Sequence, residues 1–370
     1  MRPRSKNAGF SLAVVASIAM LLPVAAAGQT APAVAKTTSE RPYTPPKTAW
    51  GDPDLQGVWP GTAMNGVPLE RPKYFGTRAV LNDQEYARRV AGHDETEEVD
   101  SQEFVTPITK CDPSKGGLGN TPETCANGVR IGPPRYWDEQ GQPNRQASLI
   151  VDPPDGRTPA LTAEAQQAQA ERAAARKARP CAGTAAGCHD SWTDDSLWDR
   201  CITRGLIGSI LPGGYDRGNQ IIQGPGYVVI RNEMIHEARV VPLDGRPHLP
   251  PEVRSWMGDS RGHWEGNTLV VETTNFSGHI PVANVPTSDD LRVVERFTRV
   301  SPDTLEYQAT ISDPKTWTAP WTIAFPMKQD PKYQLYEYAC HEGNYYMYNA
   351  LTGARAEEKK AAEAAKKAVQ

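Results

Sequence analysis

The stretch SLWDRCITRG, residues 196–205, sets one thiol among Trp198, Asp199, Arg200 and Arg204. In that setting Cys201 is a nucleophile, a metal ligand or half of a crosslink. Arg200 and Arg204 would lower a thiol pKa, but a thiolate nucleophile also needs a base and a reducing environment. A zinc site from Cys181, Cys188 and His189 lacks the usual close spacing and a clear fourth ligand, so no metal is expected. Other titratable candidates sit in segments with the period of a strand. In EMIHEARVV, His236 alternates with Met234, Ala238 and Val240, which predicts an imidazole on an apolar face. Glu272 shares a face with Val270, and Glu295 shares one with Leu291, Val293 and Phe297. Carboxylates among apolar neighbours cost desolvation and need partners. Aimed into one cavity, His236, Glu272 and Glu295 would be pushed toward neutral pKa values and would act as base and acid on a bound substrate. Asp199, Arg200 and Arg204 would orient an anionic group, while Trp198, Trp264, Trp317 and Trp321 would stack on a sugar or an aromatic ring.

Neither a His-Glu-x-x-His pair nor a P-loop nor a dinucleotide fingerprint is present, so zincin, NTPase and Rossmann dehydrogenase readings lack their markers and no cofactor is expected. Two functions fit the candidates. One is an exported acid/base enzyme, a lyase, hydrolase or isomerase acting on a carbohydrate or plant-type aromatic compound. The other is a non-catalytic periplasmic β-barrel that captures such a small-molecule ligand unchanged.

The elements that must position these residues are legible in outline. Arg2, Arg4 and Lys6, the apolar run SLAVVASIAMLLPV and the small residues Ala25 to Ala27 form a three-part signal peptide over residues 1–27. No later stretch is long and apolar enough to span a bilayer, so the mature protein is expected in the periplasm or secreted, without a membrane anchor. Cleavage removes three positive charges and no acid, moving the formal net charge from −4 to −7. Nucleic acid is then a poor partner, because the remaining lysines and arginines form no basic stripe. With 33 prolines and 31 glycines, much of the chain must be turn and extended loop.

Residues 28–48 read as a flexible leader and 49–190 as an irregular region with two short helices. WGDPDLQGVWP begins that region as a strap anchored by Leu55, Val58 and Trp59. Asn82 and Asp83 cap the first helix, and Thr162 caps the second, which lacks an apolar stripe and belongs on the surface. Residues 191–350 read as an antiparallel β domain, in which the period becomes two from Tyr227 onward. Hairpins are predicted around Asn232-Glu233, Glu265-Gly266-Asn267 and Ser301-Pro302-Asp303, with further strands at WTIAFPM and YQLYEYAC. About eight strands joined by short turns make the fold mainly β, an antiparallel barrel or sandwich. Residues 351–370 read as a charged helical tail. SLIVDPPDGRTPAL and ARVVPLDGRPHL share an Asp-Gly-Arg punctuation that reads as turn chemistry used twice.

Six cysteines in an exported chain make disulfides the default, with fifteen possible connectivities. Proximity favours Cys111 with Cys125 and Cys181 with Cys188, which leaves Cys201 with Cys340. The blocks SLWDRCITRG, GYVVIRNEMIHEARVVPLDGRPHLP, GDSRGHWEGNTLVVETTNF and YEYACHEGN resemble those of a large group of uncharacterised exported proteins of soil-type bacteria. The resemblance runs from Trp50 to Arg355 and implies no particular activity. It includes the Cys201 and Cys340 blocks but not the other cysteines, which agrees with pairing those two.

Overall fold

The computed structural model describes residues 43–100, 139, 141, 143–179, 181, 188–278 and 280–369. The expected signal peptide, most of the leader, Cys111 and Cys125 lie outside them. Two strands and two helices come from the region before residue 190: β1 (Gly57–Pro60), α1 (Asp83–Asp100), β2 (Ile150–Asp152) and α2 (Ala163–Lys177). A short α3 (Gly205–Ile210) then precedes β3 (Gly218–Gly224), β4 (Tyr227–Asn232) and β5 (Ala238–Pro242). Next come β6 (Asp259–Glu265), β7 (Thr268–Thr274), β8 (Pro281–Val282) and β9 (Val285–Pro286). The last strands are β10 (Arg292–Ser301), β11 (Thr304–Ser312) and β12 (Trp321–Lys328), and α4 (Tyr346–Val369) ends the chain.

All strand pairing is antiparallel. One sheet runs β1-β3-β4-β5, a second runs β2-β12-β11-β10-β7-β6, and β8 pairs with β9. Both large sheets are linear in order, so no closed barrel forms among the described residues. Their facing residues belong to one apolar cluster, in which Ile221, Val228, Ile230 and Val241 meet Leu269, Val293, Phe297 and Tyr307. Along β11 the predicted alternation holds, since Leu305, Tyr307, Ala309 and Ile311 are fully buried.

The region before residue 190 is not a separate layer. It supplies β1 and β2, one edge strand to each large sheet, because an exposed sheet edge offers unpaired main-chain groups that a short strand can satisfy. The strap is held from inside: Gln223 accepts from the Leu55 amide at 2.7 Å and donates to the Pro53 carbonyl at 3.0 Å, and Trp59 is fully buried. Both helix caps form as expected, with Asn82 Oδ1 accepting from the Glu85 amide and Thr162 Oγ1 from the Ala165 amide. In α2 no residue is buried, as its sequence required. The two Asp-Gly-Arg turns place Gly156 and Gly245 at φ +68° and +74°, where a side chain would be strained.

Three segments differ from the sequence expectation. YQLYEYAC is extended but pairs with no strand, and its place is fixed by side chains and a disulfide. His236 lies in a 3-10 turn, Met234–His236, between β4 and β5 and not on a strand. Ile235 and His236 take φ +59° and +45°, so the chain turns beyond the end of β4 at Asn232 and does not continue the strand period. GNQIIQG, whose apolar pair is too short to show a period, forms β3 in the middle of a sheet.

Both expected disulfides within the described residues are present, Cys181–Cys188 and Cys201–Cys340. Cys201 is thus a crosslink and not a thiolate. No helix among the described residues is long and apolar enough to cross a membrane.

Candidate functional site

The Cys201–Cys340 bond brings four loops together at one end of the sheets. These are residues 192–204, the 211–217 connection from α3 to β3, the 233–237 turn, and the extended segment 333–346. The first is set by Ser191, whose hydroxyl accepts from the Thr193 amide while Asp194 accepts from the Ser191 amide, a reciprocal cap. The last has no strand partner, and polar contacts take that role. The Tyr336 amide donates to Glu233 at 2.7 Å, and the Tyr346 hydroxyl donates to Asp195 at 2.8 Å. His236 Nδ1 stands 3.1 Å from the Tyr338 carbonyl oxygen, a contact that requires the hydrogen on Nδ1.

Between these loops lies a cavity of about 580 Å³ whose walls include Trp198, Asp199, Tyr215, Asp216, Tyr338 and Tyr346. A second pocket of about 390 Å³ lies on the other side of Trp198 and contains Arg204 and Arg217. Behind the first cavity, Glu139, Asp216 and Glu233 bring carboxyl oxygens within 4.8 Å of one another. Tyr333 stands among them, with its hydroxyl 2.5 Å from Glu233 and 3.0 Å from Glu139. A phenol has one hydrogen to give. Glu233 also accepts from the Gly218 and Tyr336 amides, the pattern of a carboxylate, so it takes the phenol hydrogen. The contact with Glu139 then needs a hydrogen on Glu139 itself. Burial and the neighbouring Glu233 and Asp216 push the Glu139 carboxyl up to about 7, which supplies that hydrogen near neutrality.

Asp216 is the member of the cluster that also faces the cavity. Burial and the charge of Glu233 raise its pKa, while Arg217 pulls it partly back. Its backbone adopts φ +52°, and Cys201, Ile235 and His236 in the surrounding loops also have positive φ. For Ile235, a β-branched residue, that conformation costs on the order of 1 kcal/mol or more. Tyr215, in the same wall, is raised by burial and by Tyr338. Glu237 lies close by, accepting from the Thr203 hydroxyl at 2.7 Å, and burial raises its carboxyl as well. Behind the cavity, Glu139 can hold a proton near neutral pH in hydrogen-bond contact with Tyr333, which in turn contacts Glu233. Three convergent carboxyls are also the donor set a hard divalent cation would use.

His236, Glu272 and Glu295 do not meet. Glu295 lies on the inner face of β10, fully buried, and is bound bidentately by Arg239 at 2.5 and 2.6 Å with the Tyr307 hydroxyl at 3.0 Å. Its partner is on β5 in the facing sheet, which no local pattern could indicate. Glu272 lies on the opposite face of the six-stranded sheet, where Arg292 holds it at 2.7 Å and keeps its pKa below the usual carboxylate range. His236 is exposed at the rim and positions Tyr338. Of the residues expected to bind a ligand, Trp198 and Asp199 line the larger cavity and Arg204 lines the smaller. Arg200 instead lies over the Trp192 ring at 4.6 Å, and Trp264 packs against the apolar cluster. Trp317 and Trp321 are buried edge to face in the core.

Gly-Asp-Ser-Arg-Gly, residues 258–262, has the spacing of a serine nucleophile elbow. It forms β6, however, and Ser260 is buried against Thr273 at 2.8 Å, without the strand-to-helix turn that exposes a nucleophile. Glu139, Tyr215, Asp216, Arg217, Glu233 and Tyr333 were not legible as site residues. The one local sign was GGYDRG, residues 213–218, which sets three functional side chains between glycines in a loop. Compared with protein-family models, curated proteins and solved structures, the chain matches none.

Proposed function

We propose that this is an exported acid/base enzyme, a lyase, hydrolase or isomerase, that takes a carbohydrate or small aromatic compound into the cavity beside Trp198. The observation that carries the reading is Asp216, a cavity-facing carboxyl whose proton affinity is raised by burial and by the charge of Glu233 behind it. A general acid or base works best with a pKa near the operating pH. Asp216 is assigned contact with the substrate, while Glu139, Tyr333 and Glu233 hold and relay the proton. Trp198, Tyr215 and Tyr338 supply flat apolar surface for a ring. The disulfides and the signal-like first 27 residues support export to the periplasm or beyond. The shared apolar cluster supports reading the two sheets as a sandwich.

The test is proton exchange. The protein is incubated in deuterated buffer with a set of sugars, sugar acids and aromatic acids, and mass spectrometry reads conversion or deuterium uptake. Wild type should convert or label at least one compound, and Asp216→Asn should slow that about a hundredfold or more. Retained binding with neither conversion nor exchange would instead favour the second reading, a protein that captures its ligand unchanged. That reading draws on Tyr333 and the Gly218 and Tyr336 amides, which already occupy much of the carboxyl cluster.

A further inference from the structure

The smaller pocket holds an arrangement that the acid/base reading does not use. Its walls combine aliphatic side chains, Leu69, Leu197, Ile207 and Ile280, with Ser196, Thr203 and Asn284, and two guanidinium groups enter it. Arg217 is 8% exposed; its Nη1 donates to the Gly208 carbonyl at 3.0 Å, and its Nε is buried without a hydrogen-bond partner. Arg204 lies over the Trp198 ring at 4.2 Å and against the Met234 sulfur at 2.7 Å. Among the described residues neither arginine forms an ion pair within 4 Å. Burial lowers the pKa of both, and Arg204 pushes Arg217 down further, to about 10. Glu139 and Asp216 offset part of that charge from a greater distance.

Two neighbouring cations that repel each other, one half-buried and one buried with an idle donor, are costly unless an anion joins them. The geometry is fixed in advance. A Cβ on Gly213 would stand 2.5 Å from Nε and Nη2 of Arg217, so only glycine lets the loop lie flat on the guanidinium. We infer that this pocket binds a small organic anion, a monocarboxylate whose oxygens meet Arg217 and Arg204 and whose apolar or aromatic body fills the space between Trp198 and the aliphatic wall. A volume of about 390 Å³ suits a ligand of one ring. Asp216 does not line this pocket, and anion binding there needs no proton transfer, so loss of the acid/base reading would leave it standing.

Calorimetric titration with benzoate, benzamide and inorganic phosphate tests this. Benzoate should bind at least about tenfold more tightly than its neutral amide, because only the carboxylate supplies charge-assisted hydrogen bonds. Arg217→Met should weaken benzoate at least about tenfold and leave benzamide unchanged. Should that variant not fold, Arg204→Gln, at a half-buried position, should weaken benzoate in the same sense. Equal affinity for acid and amide, or no binding of either at about 10 mM, would overturn the proposal. Phosphate binding as tightly as benzoate would also overturn it, since the site would then read charge without the ring.

Discussion

Removing the Cys201–Cys340 bond by replacing both cysteines with serine should cost more stability than removing the Cys181–Cys188 bond in the same way. The crosslink joins positions 139 apart in sequence, and in the loop-entropy model closing a loop of that length in the unfolded chain is worth about 5 kcal/mol. Cys181–Cys188 closes only seven, for which the same relation gives about 2 to 3 kcal/mol. The larger effect also has a local part. Segment 333–346 belongs to no sheet, so without the bond it is held by side-chain contacts, among them those of Tyr333 and Tyr336 with Glu233, of His236 with the Tyr338 carbonyl and of Tyr346 with Asp195. Urea unfolding followed by tryptophan fluorescence would measure the cost. The double variant should lose about 4 to 5 kcal/mol and show a steeper denaturant slope, because its unfolded chain exposes more surface. Hydrogen exchange should quicken first in residues 333–346. A loss below about 1 kcal/mol, or a Cys181/Cys188 double variant that costs as much, would refute the loop argument.

Three further outcomes are expected. Glu139 titrates near 7 in the fold against 4.5 unfolded, so the folded state keeps a proton that the unfolded chain has released between those values. Stability should therefore fall as pH rises from about 4.5 to 7, by about 2 kcal/mol once solvent screening is allowed for, and Glu139→Gln should flatten that slope in thermal melts. Glu295→Leu should cost about 3 to 5 kcal/mol by leaving Arg239 buried and alone, whereas Arg239→Met with Glu295→Leu should recover most of it in denaturant titrations. Deleting residues 356–370 should leave the melting temperature unchanged within a degree or so, because that stretch is exposed wherever its side chains are described.

Local chemistry was readable wherever it answers to near neighbours in the chain. Asn82 and Thr162 cap their helices, Gly266-Asn267 and Pro302-Asp303 turn their hairpins, and β11 buries every second residue, since each depends on contacts a few positions away. The pairing of Cys201 with Cys340 also followed from the sequence, by proximity of the other cysteines. Glu295 was correctly marked as an acid among apolar residues, and its desolvation demanded a partner. Only the tertiary structure decided which partner, because Arg239 arrives from the other sheet. The same holds for the candidate site. Two residues of positive φ moved His236 out of the strand period, and packing gathered Glu139, Asp216, Glu233 and Tyr333 from loops up to 194 residues apart. Alternation reports which face of a strand is buried, but it carries no information about what folds onto that face. A loop that is ordered by crosslinks and side-chain hydrogen bonds has no period to read.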